Sequence, residues 1–191
     1  MNPVLVPDGP DAGLPWHYGD PLREQRRMMG GHGGVMLSRL ASDSLAVIWQ
    51  GTNQPPARPI KMTATRPSAI GDGRYVVVQP SDAGAIVEAE PVGIWAYEAL
   101  RIAARLPRDG IDIVPGPPNR RLRLVHMDGS TAAPLPPLGT ALTLEGREVG
   151  RLGSSAQHYE LGPIGLALIA DSVPVGTTLS AGGLPVMVAA D

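Results

Sequence analysis

The stretch Gly150–Ala170, GRLGSSAQHYELGPIGLALIA, continued by Asp171–Gly176, decides how the C-terminal part of this chain reads. It opens on a strand, Val149–Leu152, and Gly153-Ser154-Ser155 then reads as a turn of small residues. A short polar stretch follows with His158, Tyr159 and Glu160. The apolar run Ile164–Asp171 has the length and composition of a buried strand, and it stops before Pro174. The same rhythm extends outward. Arg121–Met127 precedes the turn Asp128-Gly129-Ser130 and a Pro-rich loop at 134–137. Ala141–Leu144 leads into the turn Glu145-Gly146-Arg147, and Val186–Ala190 closes the chain. Short strands with turn signals about every 8–12 residues predict a small closed antiparallel β-barrel.

Upstream the pattern changes. Residues 1–15 are rich in Pro, Gly and Asp and read as an N-terminal arm. Asp20-Pro21 is a cap and first-turn pair and Gly30-Gly31 a stop, so a basic helix is expected at about 21–29. Its Leu22 and Met29 are expected to pack inward, with Arg–Glu24 pairs in solvent. Strands are expected at Val35–Leu40, Ser44–Gln50, Ile60–Thr65 and Arg74–Gln79, and a short helix from Ser81-Asp82 to about Glu88. The strongest helix is Val92–Arg105, with Trp95, Ala99 and Ile102 on one face, ended by Pro107 and Gly110. The Pro-rich segment Ile111–Asn119 marks a domain boundary. The chain therefore reads as α+β: an arm at 1–15, an α/β domain at 16–115 and a barrel domain at 119–191.

The chain has 191 residues and is 43% hydrophobic, enough for a core, but it has no Phe. That core must be mostly Val, Leu, Ile, Ala and Met. Gly 24 and Pro 21 make up nearly a quarter of the residues, which favours short strands over long helices. The net charge of −2, without a basic block, argues against a nucleic-acid partner. With no Cys there is no disulfide, thiolate metal site or cysteine nucleophile. No apolar run approaches the ~20 residues of a membrane span, and the N-terminus lacks a secretory pattern. A cytoplasmic protein without membrane contact is expected.

Three stretches carry a resemblance to the folate-binding YgfZ proteins and the glycine-cleavage aminomethyltransferases (GcvT). His17–Arg26, HYGDPLREQR, matches an N-terminal phrase of one YgfZ version. Gly93–Gly110, GIWAYEALRIAARLPRDG, is similar to the family helix, with Ala103 and Arg105 where the family has Glu and Gly. Arg120–Gly176 follows the family barrel. Together they cover roughly half the chain. The signature K-G-C-Y-x-G-Q-E has no counterpart, since only Ile111–Pro118 joins the second and third stretches, and residues 35–90 hold about half of the family's N-terminal region. The resemblance thus implies a reduced GcvT/YgfZ-like α/β part followed by the barrel. The family's catalytic aspartate lies in missing ground, so no residue inherits its role and the catalytic residues are unknown.

What the resemblance implies about ligands centres on Arg101. In the aminomethyltransferases the matching Arg lies near the folate pocket, and a guanidinium there suits a carboxylate or the polar edge of a flat ligand. The competing reading is a helix-surface Arg paired with Glu98 or Asp109. Trp95, Tyr97 and Glu98 share that helix. Arg23, with Arg26 and Arg27, suits a polyanionic tail such as a folate glutamate chain. His158, Tyr159 and Glu160 offer acid–base groups, against a structural role in a barrel loop. The four His residues, 17, 32, 126 and 158, have no metal-ligand spacing. Gly30–Gly34 lacks the Lys-Ser/Thr of a phosphate loop.

Two functions follow as expectations. The first is a small-molecule binding protein holding tetrahydrofolate or a folate-like ligand, its signature chemistry lost. The alternative is a repurposed biosynthetic enzyme using the interdomain pocket for cyclisation or one-carbon chemistry without folate. Asp20, Asp72, Glu98 and Asp109 would then be its candidate acid–base groups. A homodimer built on sheet edges is a further expectation.

Overall fold

The computed structural model describes residues 20–29, 35–39, 46–50, 62–67, 74–78, 93–130 and 134–190. The chain divides into two compact units, Met1–Tyr97 and Glu98–Asp191. The arm at 1–15, the stretch 16–19, the glycine run 30–34 and the short helix expected at 81–88 lie outside the described residues.

In the first unit, helix α1 (Pro21–Met29) starts as its sequence requires. Asp20 is the N-cap: its Oδ1 accepts the Leu22 amide at 2.9 Å and its carbonyl accepts the Glu24 amide at 3.0 Å. The buried face differs from the expected one. Glu24 and Gln25 are buried, Leu22 is only half-buried and Met29 is 46% exposed. The cause is a polar partner far along the chain: Glu24 Oε2 accepts the Gly93 amide at 3.0 Å. Gly93 precedes helix α2 (Ile94–Ala103), whose first turn has no acid of its own, so Glu24 supplies the negative charge that a helix N-terminus favours.

The strands of this unit are β1 (Val35–Arg39), β2 (Ala46–Gln50), β3 (Met62–Pro67) and β4 (Arg74–Val78). They form an antiparallel sheet in the order β1-β2-β4-β3. The third strand runs later than expected and ends at Pro67, which is tolerated because β3 is at the end of that order.

In the second unit, α2 ends in a turn closed by Leu106 N to Arg101 O at 3.0 Å and Arg105 N to Ile102 O at 2.9 Å. That pair of bonds is a Schellman cap, and it puts Arg105 at φ 56, a conformation that favours glycine. The barrel strands are β5 (Arg120–Met127), β6 (Ala141–Leu144), β7 (Arg147–His158), β8 (Gly162–Ala170), β9 (Thr178–Ala181) and β10 (Leu184–Val188). They close in the order β10-β5-β8-β7-β6-β9. Val125, Leu142, Leu152, Ile169 and Val186 fill the interior. Ile102 of α2 packs with Leu124, Ile164 and Leu166 in a second cluster. Since Ala167 and Ile169 belong to the interior and Ile164 and Leu166 to the second cluster, β8 is buried on both faces. Its uninterrupted apolar run has that cause.

Two features of the barrel depart from the sequence reading. Gly153-Ser154-Ser155 is not a turn: β7 continues through it for 12 residues, with a register shift between Leu152 and Ser155 that marks a bulge. The chain reverses instead at Tyr159–Leu161, between His158 and its partner Gly162. Strand β9 was not expected. It pairs with β10 across Gly182-Gly183, both at positive φ, as a two-residue hairpin needs. The turn expected at Glu145-Gly146 is present, with φ values of 50 and 79.

Candidate functional site

The polar centre of the second unit grows from the last turns of α2. Glu98 and Arg101 are three residues apart and so lie on one face. Arg101 donates side-on to both carboxylate oxygens of Glu98, Nε to Oε1 at 3.1 Å and Nη2 to Oε2 at 2.8 Å. Its Nη1 donates to the Leu106 carbonyl and, at 2.9 Å, to Asp112 Oδ2. Four of the five guanidinium N–H groups are thereby engaged. Arg108 pairs with Glu98 through Nη2, and its backbone amide donates to Asp112 Oδ2 at 2.9 Å. Asp112 Oδ1 accepts the Ser154 amide in the β7 bulge at 2.6 Å.

Two carboxylates thus balance two guanidiniums. Arg101 is 3% exposed and Asp112 1%. Burial alone would lower the Arg101 pKa, but the bonds and charges of Glu98 and Asp112 outweigh it and raise it. Arg101 is therefore a buried Arg paired with Glu98, as the competing reading expected, and its second acid is Asp112 where Asp109 was the expected choice. Its geometry joins α2, the 106–112 segment and the barrel wall.

Asp112 and Arg108 are members of this cluster that the sequence reading does not single out, because they fall at or beside the segment read as a connection. The available signal was a single acid between Ile111 and Ile113, just past a helix stop.

His158 and Tyr159 touch, ring centroids 4.7 Å apart and tilted by 38°. His158 is buried, and its Nδ1 accepts the amides of Glu160 and Leu161, both at 3.2 Å. Two amide donors on Nδ1 leave the proton on Nε2. Burial pushes the His158 pKa down, and the Glu160 charge opposes this only in part. The ring caps the β7–β8 turn as a neutral imidazole, with Nε2–H as its remaining donor.

On α2 the structure brings Trp95, Glu98 and Arg101 onto one stripe, at three-residue spacing. Trp95 is 50% exposed and Tyr97 is buried. Arg23 is exposed on α1. Among the described residues no group of three or more His, Asp or Glu is arranged to hold a metal. No described helix is long and apolar enough to cross a membrane.

Comparison with known proteins agrees with this architecture. Residues 119–190 match the family described as CAF17, C-terminal beta-barrel domain. Among solved structures the chain is similar to the crystal structure of glycine cleavage system aminomethyltransferase T from Bartonella henselae, with a TM-score of 0.58 and 17% sequence identity. The match covers 76% of this chain and 58% of that one. No curated protein matches. The fold is thus similar to that of an aminomethyltransferase. Within it, the six-stranded barrel is similar to the C-terminal barrel of CAF17.

Proposed function

We propose that the chain binds a flat small molecule of the folate kind, on an aminomethyltransferase-like scaffold that lacks the usual signature chemistry. The observation that carries this reading is the likeness to an aminomethyltransferase over 76% of the chain, joined to the barrel match at 119–190. The resemblance in the HYGDPLREQR and α2 stretches points the same way.

The side chains suggest how such a ligand would be held. Trp95 offers an exposed indole, a surface on which a flat ring can stack. One turn on, Glu98 is an acceptor fixed by Arg101 and Arg108. In this reading Arg101 acts through Glu98, while Tyr97 supports the helix from its buried side. The enzyme reading has less behind it: Asp20 caps α1 and Glu98 is held in ion pairs.

Thermal unfolding of the full chain with and without tetrahydrofolate tests the proposal. Binding raises the melting temperature by linkage, and Trp95→Ala weakens the gain. No shift at millimolar tetrahydrofolate overturns it, and turnover of the ligand would favour the enzyme reading. Light scattering on the same samples reports whether the chain forms a homodimer.

A further inference from the structure

Arg123 sits on β5 two residues before Val125 and four before Met127, so it shares their inward face. It is 6% exposed. Its Nη1 donates to the Val173 carbonyl at 2.8 Å, where the chain passes from β8 towards β9. Its Nε is buried with no hydrogen-bond partner, and Nη2 has none among the described residues. No carboxylate among the described residues pairs with it. The acid at that end of the barrel, Asp171, pairs with Arg121 instead. Opposite Arg123 on β8 is Ala167, a small residue that fills little of the space across the strand pair.

A buried guanidinium with one hydrogen bond and no counter-charge is costly. The two nitrogens left over, Nε and Nη2, form the side-on edge of the guanidinium, which fits two oxygens of a carboxylate or phosphate. The same chain shows that edge in use: Arg101 presents Nε and Nη2 to Oε1 and Oε2 of Glu98. At Arg123 the equivalent edge faces no acid among the described residues.

We propose that the Nε/Nη2 edge of Arg123 is a binding site for one oxyanion group, the carboxylate or phosphate of a small molecule, at the Val173 end of the barrel. The depth of the guanidinium favours a small ligand over a protein surface, because so little of Arg123 is exposed. The site does not depend on the folate reading, since all its residues lie within the barrel unit.

The test uses the full chain in Tris–chloride at constant ionic strength, titrated separately with sodium acetate and sodium phosphate. At tenfold excess over Kd, wild type should gain about 3 °C or more in melting temperature. The Arg123 Nε–H resonance, assigned by its loss in Arg123→Lys, should move during the same titration. Arg123→Met should lose the gain without melting lower than wild type in chloride alone. Arg123→Lys keeps the charge but not the fork, and its gain should fall at least threefold. A response to acetate alone assigns a carboxylate, and a response to phosphate alone a phosphate. An Nε–H resonance unmoved by both anions overturns the proposal, as does a thermal gain undiminished in Arg123→Lys. If Arg123→Met fails to fold, the resonance and the Lys variant still decide.

Discussion

Asp112 holds Ser154: its Oδ1 accepts the Ser154 amide at 2.6 Å, joining positions 42 residues apart. Its Oδ2 takes Arg101 Nη1 and the Arg108 amide, both at 2.9 Å. One buried carboxylate thus ties the end of α2, the 108–112 segment and the bulge of β7. Removing it leaves Glu98 as the one carboxylate on Arg101 and takes the acceptor from the amides of Arg108 and Ser154. Asp112→Ala is therefore expected to destabilise the second unit by about 3–5 kcal/mol. Asp112→Asn keeps the shape and one acceptor and should cost about 1.5–3 kcal/mol. Urea unfolding of both variants measures the difference, and equal costs would contradict the importance of the charge.

Gly153 is part of the same joint. A Cβ at this position would lie 2.5 Å from Asp112 Oδ1, 3.0 Å from the Leu166 carbonyl and 3.1 Å from Asp112 Cα. Gly153→Ala should cost about 1–3 kcal/mol through overpacking. If the carboxylate is the main obstacle, the cost falls once Asp112 is Ala. A double-mutant cycle should then show a coupling of at least about 0.5 kcal/mol. Additive costs would place the clash on the backbone instead, at the Leu166 carbonyl and Asp112 Cα.

This joint also marks where the sequence stops being readable. Small residues signal a turn and a bulge equally well, and what decides for a bulge at Gly153–Ser155 is a carboxylate far upstream. Helix α1 has the same difficulty. Its apolar spacing points Leu22 and Met29 inward, yet Glu24 is buried because its partner is the Gly93 amide, 69 residues away. By contrast, β8 and the Glu145-Gly146 turn are legible because their signals lie within the segments themselves: an uninterrupted apolar run and a Gly at the turn. Within the candidate site, Glu98 and Arg101 are legible from helical spacing. Asp112 is not, because its role depends on three groups that only folding brings to it. Strand β9 escaped because Thr178–Ala181 is short and half polar.

Arg105 offers a test of the helix end. It closes the Schellman cap at φ 56, where a side chain costs roughly 1–2 kcal/mol relative to glycine. Its Nη2 also donates to the Ala190 carbonyl, an exposed bond that returns less than the strain it accompanies. Arg105→Gly is expected to stabilise the chain by about 0.5–1 kcal/mol, and Arg105→Ala to leave it less stable than wild type. Melting temperatures in one buffer check the order Gly above Arg above Ala.

His158 gives the stability a pH dependence whose sign follows from its burial. The folded ring is held neutral, since Nδ1 accepts two amides, and its pKa lies below the unfolded value of about 6.5. Between the folded and unfolded values the unfolded chain binds more protons, so stability falls as the pH falls. The contribution is complete above about pH 6.5 and is lost progressively below it, down through the folded pKa. His158→Gln removes this titration while keeping an acceptor for the turn. The wild-type advantage over the variant should therefore shrink between pH 7 and pH 5. Guanidinium unfolding across that range measures it. An advantage that stays constant, or grows as the pH drops, would mean that the ring is not held neutral in the folded chain.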